Sequence, residues 1–131
     1  MSWDLFVQDW GDVNSLDEIP DDFNPKPIGK RSETIDKIKE AEPTIDFSDP
    51  SWGRLDNDQF SIEFNMGNVE KLNGFVMHIR GSEMAIPCIA NILSTLDLKA
   101  TDGSSPNFFD NERSKNDMQK WIAYRNKIWN K

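Results

Sequence analysis

Two central segments of the chain, residues 60–66 and 75–80, alternate between apolar and polar positions. From Phe60 to Met66 every second residue is apolar, which is typical of a strand with one buried face. Residues 75–80 repeat this alternation, and a polar connection bracketed by glycines separates the two segments. We therefore predict two neighbouring antiparallel strands, whose second face displays Ser61, Glu63, Asn65, Val76, His78 and Arg80.

Other segments predict further strands and turns. The aromatic and branched run Trp3–Gln8 predicts a strand that enters the core. Trp52–Leu55 and Leu98–Thr101 predict shorter strands, whereas residues 45–53 are rich in turn formers. Residues 56–58, with the sequence Asp-Asn-Asp, have the composition of a tight turn.

Three segments have apolar residues at helical spacing. A helix capped by Ser32 is expected to run to about Glu42. The stretch Ser82–Leu96 predicts a second helix, in which Pro87 is tolerated because it lies near the start. Residues 118–129 predict the last helix, which carries a basic face.

Together these elements predict one α+β domain over residues 1–131, with a mainly antiparallel sheet of about four to five strands, two substantial helices and one shorter helix. Residues 9–31 form an irregular, acidic, proline-containing segment. Within it Ser15 and Glu18 make a capping-box pattern, which Pro20 limits to a single helical turn. A connection of this length is typical of a functional loop or of an arm that wraps on the surface.

Charge is distributed unevenly along the chain. The 131 residues include 23 acidic and 15 basic ones, a formal net charge of −8, yet residues 1–25 contain no lysine or arginine. Residues 113–131 reverse the balance, with six basic residues and a single acidic one. This polarity is explained either by an acidic arm beside a basic helix or by an acidic surface kept for a basic partner.

Composition also excludes several classes of function. A negative field repels phosphate backbones, so we expect no nucleic-acid partner. The sequence has no apolar run of the ~20 residues that span a bilayer and no basic, apolar leader, so we expect no membrane association. The single cysteine cannot form an internal disulfide, which favours a cytoplasmic setting.

The scarcity of histidine and cysteine limits the possible chemistry. With His78 as the one histidine, a site of two histidines cannot form within one chain, and we predict no cofactor and no metal site. Cys88 stands among isoleucines and is expected to be a small core residue. The weak catalytic or anion-binding candidates are Glu63, His78 and Arg80, which could meet on one sheet face. The alternative is an ordinary cross-strand cluster of charges.

Two tryptophans beside glycines are the aromatics we expect to be partly exposed. An exposed tryptophan in an acidic loop is typical of a protein-binding hot spot, although burial under the acidic arm is the simpler alternative. With four acidic neighbours in sequence, these tryptophans complete the predicted partner-binding set: Trp10, Asp17, Glu18, Asp21, Asp22 and Trp52.

Several stretches also carry a resemblance: SWDLFVQDW at 2–10, IPDDF at 19–23, DFSDPSWG at 46–53, FSIEFNMG at 60–67, MHIRG at 77–81 and FFD at 108–110. With these stretches the chain resembles a family of short, acidic, uncharacterised bacterial proteins that open with a WDLFVQD-like strand. The resemblance implies a bacterial, intracellular, single-domain protein. It brings no activity, so it assigns no catalytic or binding residue.

These observations predict a non-enzymatic bacterial protein-binding module. We expect it to engage another protein with a basic surface, in the manner of an immunity or regulatory protein. One alternative is a small enzyme or anion-binding protein that uses the face of Glu63, His78 and Arg80. Another is a self-associating structural domain that forms a homodimer.

Overall fold

The computed structural model describes residues 2–11, 13, 15–24, 26–102, 107–110, 119–120, 122–124 and 127. Its strands are β1 (Trp3–Gln8), β2 (Gly29–Lys30), β3 (Asp46–Asp49), β4 (Trp52–Asp56), β5 (Phe60–Asn65), β6 (Lys71–Leu72), β7 (Gly74–Gly81) and β8 (Lys99–Thr101). Its helices are a 3₁₀ turn (Leu16–Glu18), α1 (Arg31–Ala41) and α2 (Ala85–Leu96). Residues 119–120, 122–124 and 127 are also helical.

Six strands form one antiparallel sheet in the order β3-β4-β5-β7-β1-β8, and β2 pairs with β6 beside it. This confirms the predicted α+β class and the antiparallel neighbours β5 and β7. The main sheet has more strands than the expected four to five, because β3 lies where we expected only turns. Phe47 of β3 packs against the ring of Phe64, with ring centroids 5.8 Å apart. Residues 46–49 therefore form a strand through tertiary contacts, although their composition is typical of turns.

The hydrophobic core lies between one face of the sheet and the two helices. Alternation places every second residue of β5 and β7 on this face, as predicted, and β1 has the same pattern of burial. The buried residues of α1 and α2 join the same cluster. Cys88 of α2 is buried there, and burial, with a smaller effect of Glu42, raises the pKa of its thiol to about 12. This confirms the interpretation of Cys88 as a core residue.

Helix α1 begins differently from the prediction, in which Ser32 was the cap. The helix starts at Arg31, so Ser32 lies in its first turn, and its backbone N–H and Oγ both donate to Glu70 Oε1 at 2.7 and 2.9 Å. A carboxylate from outside the helix therefore satisfies an N-terminal amide, where negative charge is favoured. These two hydrogen bonds, helped by Arg31 and Lys30, lower the pKa of Glu70.

Replacing Glu70 by glutamine is expected to lower the stability at neutral pH but not at low pH. A lowered folded-state pKa means that the ionised carboxylate stabilises the fold above the ordinary glutamate pKa, and that this contribution disappears as pH falls through the lowered value. Urea unfolding at pH 7 and pH 3 would measure the difference between variant and wild type. Glu40→Gln, at an exposed position of α1, is the control for the loss of one negative charge. An equal deficit at both pH values would contradict the linkage.

The acidic N-terminal segment and the predicted last helix are described only in part. Ser15 Oγ accepts a hydrogen bond from Asp17 N at the start of the single 3₁₀ turn, which confirms the predicted turn. The helical residues 119–120, 122–124 and 127 lie within the predicted helix 118–129, whereas Met118, Trp121 and Trp129 lie outside the described residues. Over the described part of the chain, no helix has the length and apolarity needed to cross a membrane.

Candidate functional site

Residues 9–26, which we call the acidic loop, leave the end of β1 and return to it. An isolated antiparallel bridge between Asp9 and Lys26 closes the loop at its base. From β8, Lys99 Nζ donates to the carbonyl oxygens of Gly11 and Val13 at 3.2 and 2.5 Å. The loop is therefore attached to the sheet by backbone pairing and by a lysine that binds its carbonyl groups.

Aromatic packing makes a second attachment of the acidic loop. The Trp10 ring stacks on Phe23, with centroids 6.3 Å apart and an interplanar angle of 13°, and lies 5.9 Å from the ring of Phe108. Lys99 Nζ lies 5.4 Å from the Phe108 centroid. Trp10 is half-buried in this cluster, and its contact with Phe23 joins the start of the acidic loop to its end. Its contact with a partner stays a prediction.

The four acidic residues of the predicted partner-binding set lie on the outside of this loop. Asp17 and Glu18 belong to the 3₁₀ turn, while Asp21 and Asp22 follow Pro20 in the next turn, and all four are exposed. Because Lys99 and the Trp10 cluster restrain the loop on its inner side, these carboxylates are presented by a restrained backbone.

The three catalytic candidates lie together on the sheet face opposite the core, which we call the open face. Cross-strand register places Glu63 directly beside His78, as predicted. Arg80 Nη1 donates to Glu63 Oε1 at 2.8 Å, and these side chains are 43% and 23% exposed. Glu63 therefore pairs with the arginine and not with the imidazole.

His78 is oriented by Asp4, a residue that the sequence analysis assigned only to the acidic N-terminal region. The His78 Nδ1 atom lies 2.8 Å from Asp4 Oδ1, across the β1–β7 pair. An ionised carboxylate can only accept a hydrogen bond, so Nδ1 is the donor to ionised Asp4. The alternation in residues 3–8 was the signal that could have placed Asp4 on this face.

Trp52, the exposed member of the partner-binding set, also lies on the open face. It belongs to β4, is 36% exposed, and stacks on His78 with ring centroids 5.7 Å apart at 25°. The fold thus brings a predicted binding residue into contact with a predicted catalytic residue, although 26 positions separate them in sequence. Arg54, two residues further along β4, faces Glu63 across the strand pair and was not among the predicted site residues.

The chemistry available at Glu63, His78 and Arg80 is limited by these pairings. The Arg80 guanidinium already binds a carboxylate, which offsets its attraction for an anion. Within the described part of the chain, the imidazole hydrogen-bonds to Asp4 and stacks on Trp52. The enzyme or anion-binding alternative stays a prediction that these contacts do not favour.

Metal binding and similarity to other proteins add no further assignment. Within the ranges that the structure describes, histidine, cysteine and carboxylate side chains form no group of three or more that could hold a metal ion. No protein-family model, curated protein or solved structure matches the chain.

Proposed function

We propose that this chain is a non-enzymatic protein-binding module that engages a basic partner protein through the acidic loop. The observation that carries the proposal is the exposure of Asp17, Glu18, Asp21 and Asp22 on a loop fastened by Lys99 and the Trp10 cluster. A restrained loop loses little conformational entropy when it binds, and clustered carboxylates attract a basic surface. Within a bacterial cell, such a module would act as an immunity or regulatory protein that covers a basic partner.

Neutralising the four loop acids is expected to abolish stoichiometric capture of that partner. The variant Asp17→Asn, Glu18→Gln, Asp21→Asn, Asp22→Asn keeps side-chain size and removes only charge. Association should slow by about tenfold or more at low salt, because acidic clusters act mainly on the association rate. Affinity purification from the source cell followed by mass spectrometry identifies the partner, and surface plasmon resonance with that partner measures the rate.

A second fourfold variant separates a local effect from one of net charge. Glu33→Gln, Asp36→Asn, Glu40→Gln, Asp58→Asn also removes four charges from exposed positions, but leaves the acidic loop intact. We expect this control to retain capture and most of the association rate. Equal losses in the two variants would contradict a site in the loop, and the absence of any stoichiometric partner would contradict the proposed function.

A further inference from the structure

The open face combines acidic residues with exposed aromatic ones. By strand register it carries five carboxylates against three cationic groups: Asp4, Asp46, Asp49, Asp56 and Glu63 against Arg54, Arg80 and Lys99. Lys99 lies on the edge strand β8, at the other end of the sheet from Trp52, so negative charge remains in excess on the face that carries Trp52. Two hydrogen bonds from Ser48 hold the Asp46 carboxylate and lower its pKa.

We infer that Trp52 and the carboxylates around it form a second contact site for the basic partner, which takes an arginine side chain. This inference rests on the proposed function and names a chemical feature of the partner. A guanidinium group can stack on an indole ring while donating hydrogen bonds to a neighbouring carboxylate, a combination that a lysine ammonium meets less well. Asp49 lies directly opposite Trp52 in the β3–β4 pair and supplies that carboxylate.

The position of Trp52 is fixed before any partner arrives. Its ring rests on the imidazole of His78, which in turn is held by Asp4 at 2.8 Å. The side chain therefore stands in one orientation over the sheet while 36% of its surface stays accessible. Asp49 is restrained as well, because its Oδ1 accepts a hydrogen bond from Ser51 N at 2.9 Å.

A groove of mixed polar and apolar lining adjoins this site along the same face. Phe6 and Val76, neighbours on β1 and β7, line it together with Val69 of the β5–β6 connection and with polar side chains that include Asn65 and Lys71, and its volume is about 410 Å³. Phe6 is 41% and Val69 60% exposed. An apolar side chain next to the arginine of the partner can enter the groove and contact Phe6 and Val69, so charged and apolar contacts combine in one patch.

The charges of the open face favour contact with a basic partner over contact with a second copy of the chain. Stacking two open faces would bring the excess carboxylates of one copy against those of the other, and like charges placed opposite one another are destabilising. The sheet edge at β3 does not favour pairing between copies either, since that strand is short, acidic and irregular in register. A basic partner would instead place positive charges opposite these carboxylates, and that contact is attractive.

Titration with a short peptide of alternating glycine and arginine tests this site directly. In ¹⁵N–¹H spectra of the full chain, the indole signal of Trp52 and the amides of β4, β5 and β7 should shift, and a matched citrulline peptide should shift them less. Trp52→Leu should weaken the affinity about fivefold, as loss of a cation–π contact predicts, whereas Trp52→Phe should retain most of it. Met84→Ala, which removes another exposed apolar side chain, should leave it unchanged.

The outcomes separate this site from the proposed function. Shifts confined to residues 15–24, with equal affinity for wild type and Trp52→Leu, would overturn the arginine site and leave the acidic loop as the binding surface. Shifts on the open face that are the same with the citrulline peptide would also overturn it. Absence of shifts at both surfaces would count against the site and the proposed function together. Circular dichroism of each variant verifies that the fold is retained.

Discussion

Replacing Phe64 by alanine is expected to lower the free energy of unfolding by about 4 kcal/mol. Phe64 stands near the middle of β5, a central strand of the sheet, and its side chain is fully buried. Its ring packs against Phe47, so the truncation removes apolar contacts from two strands and leaves a cavity that the paired backbone cannot close. Urea unfolding followed by circular dichroism measures the loss.

Phe6→Ala is the matched control, because it makes the same truncation on the other face of the same sheet. Phe6 is 41% exposed, and its removal should change the free energy of unfolding by less than about 1 kcal/mol. Equal losses at the two positions would contradict the assignment of a buried and an open face. The same Phe6→Ala variant also removes one of the side chains that line the groove on the open face.

Replacing Gly81 by alanine is expected to cost about 3 kcal/mol of stability. Gly81 has φ +105°, a backbone conformation that residues with a side chain rarely adopt. An added Cβ would also lie 2.5 Å from the Gln59 carbonyl oxygen and 2.7 Å from the Phe60 Cα atom. Gln59 O accepts a hydrogen bond from Ser82 N, and Phe60 pairs with Gly81, so neither can move without opening the end of the β5–β7 ladder.

Gly67→Ala separates the two causes of this loss. Gly67 also has a positive φ, +73°, but an added Cβ would meet nothing within 4 Å. The control should therefore cost about 1 kcal/mol, from backbone strain alone. If thermal or urea unfolding shows the same deficit for both variants, the close approach of Gly81 to β5 does not contribute to stability.

The two proposed contact surfaces, the acidic loop and the open face, differ in chemistry. The loop presents clustered carboxylates, which act mainly on the rate and selectivity of association. The open face adds an aromatic ring, a partly apolar groove and paired charges, features that would slow dissociation where water is excluded. A partner that used both would lose association rate in the loop variant and residence time in the Trp52 variant.

Local patterns were sufficient to predict most strands and their buried faces. Alternation from Phe60 to Met66 and from residue 75 to 80 placed Glu63, His78 and Arg80 on one face, because side chains of a strand alternate wherever the strand lies. Composition failed at β3, where a turn-forming segment becomes a strand by pairing with β4 while Phe47 packs on Phe64. It failed again at the start of α1, where Glu70, distant in sequence, accepts the hydrogen bonds of Ser32.

The sequence by itself determined which side chains of β5 and β7 share a face, that Cys88 belongs to the core, and that acidic residues without basic ones gather near the N-terminus. Only the tertiary structure decided which of those side chains touch. His78 has a carboxylate on each side, Glu63 on β5 and Asp4 on β1, and strand order brings both within reach. Arg80 pairs with Glu63, the imidazole bonds to Asp4, and Trp52 stacks above it. These choices depend on register and on competition between neighbours, which are properties of the assembled sheet and not of any one segment.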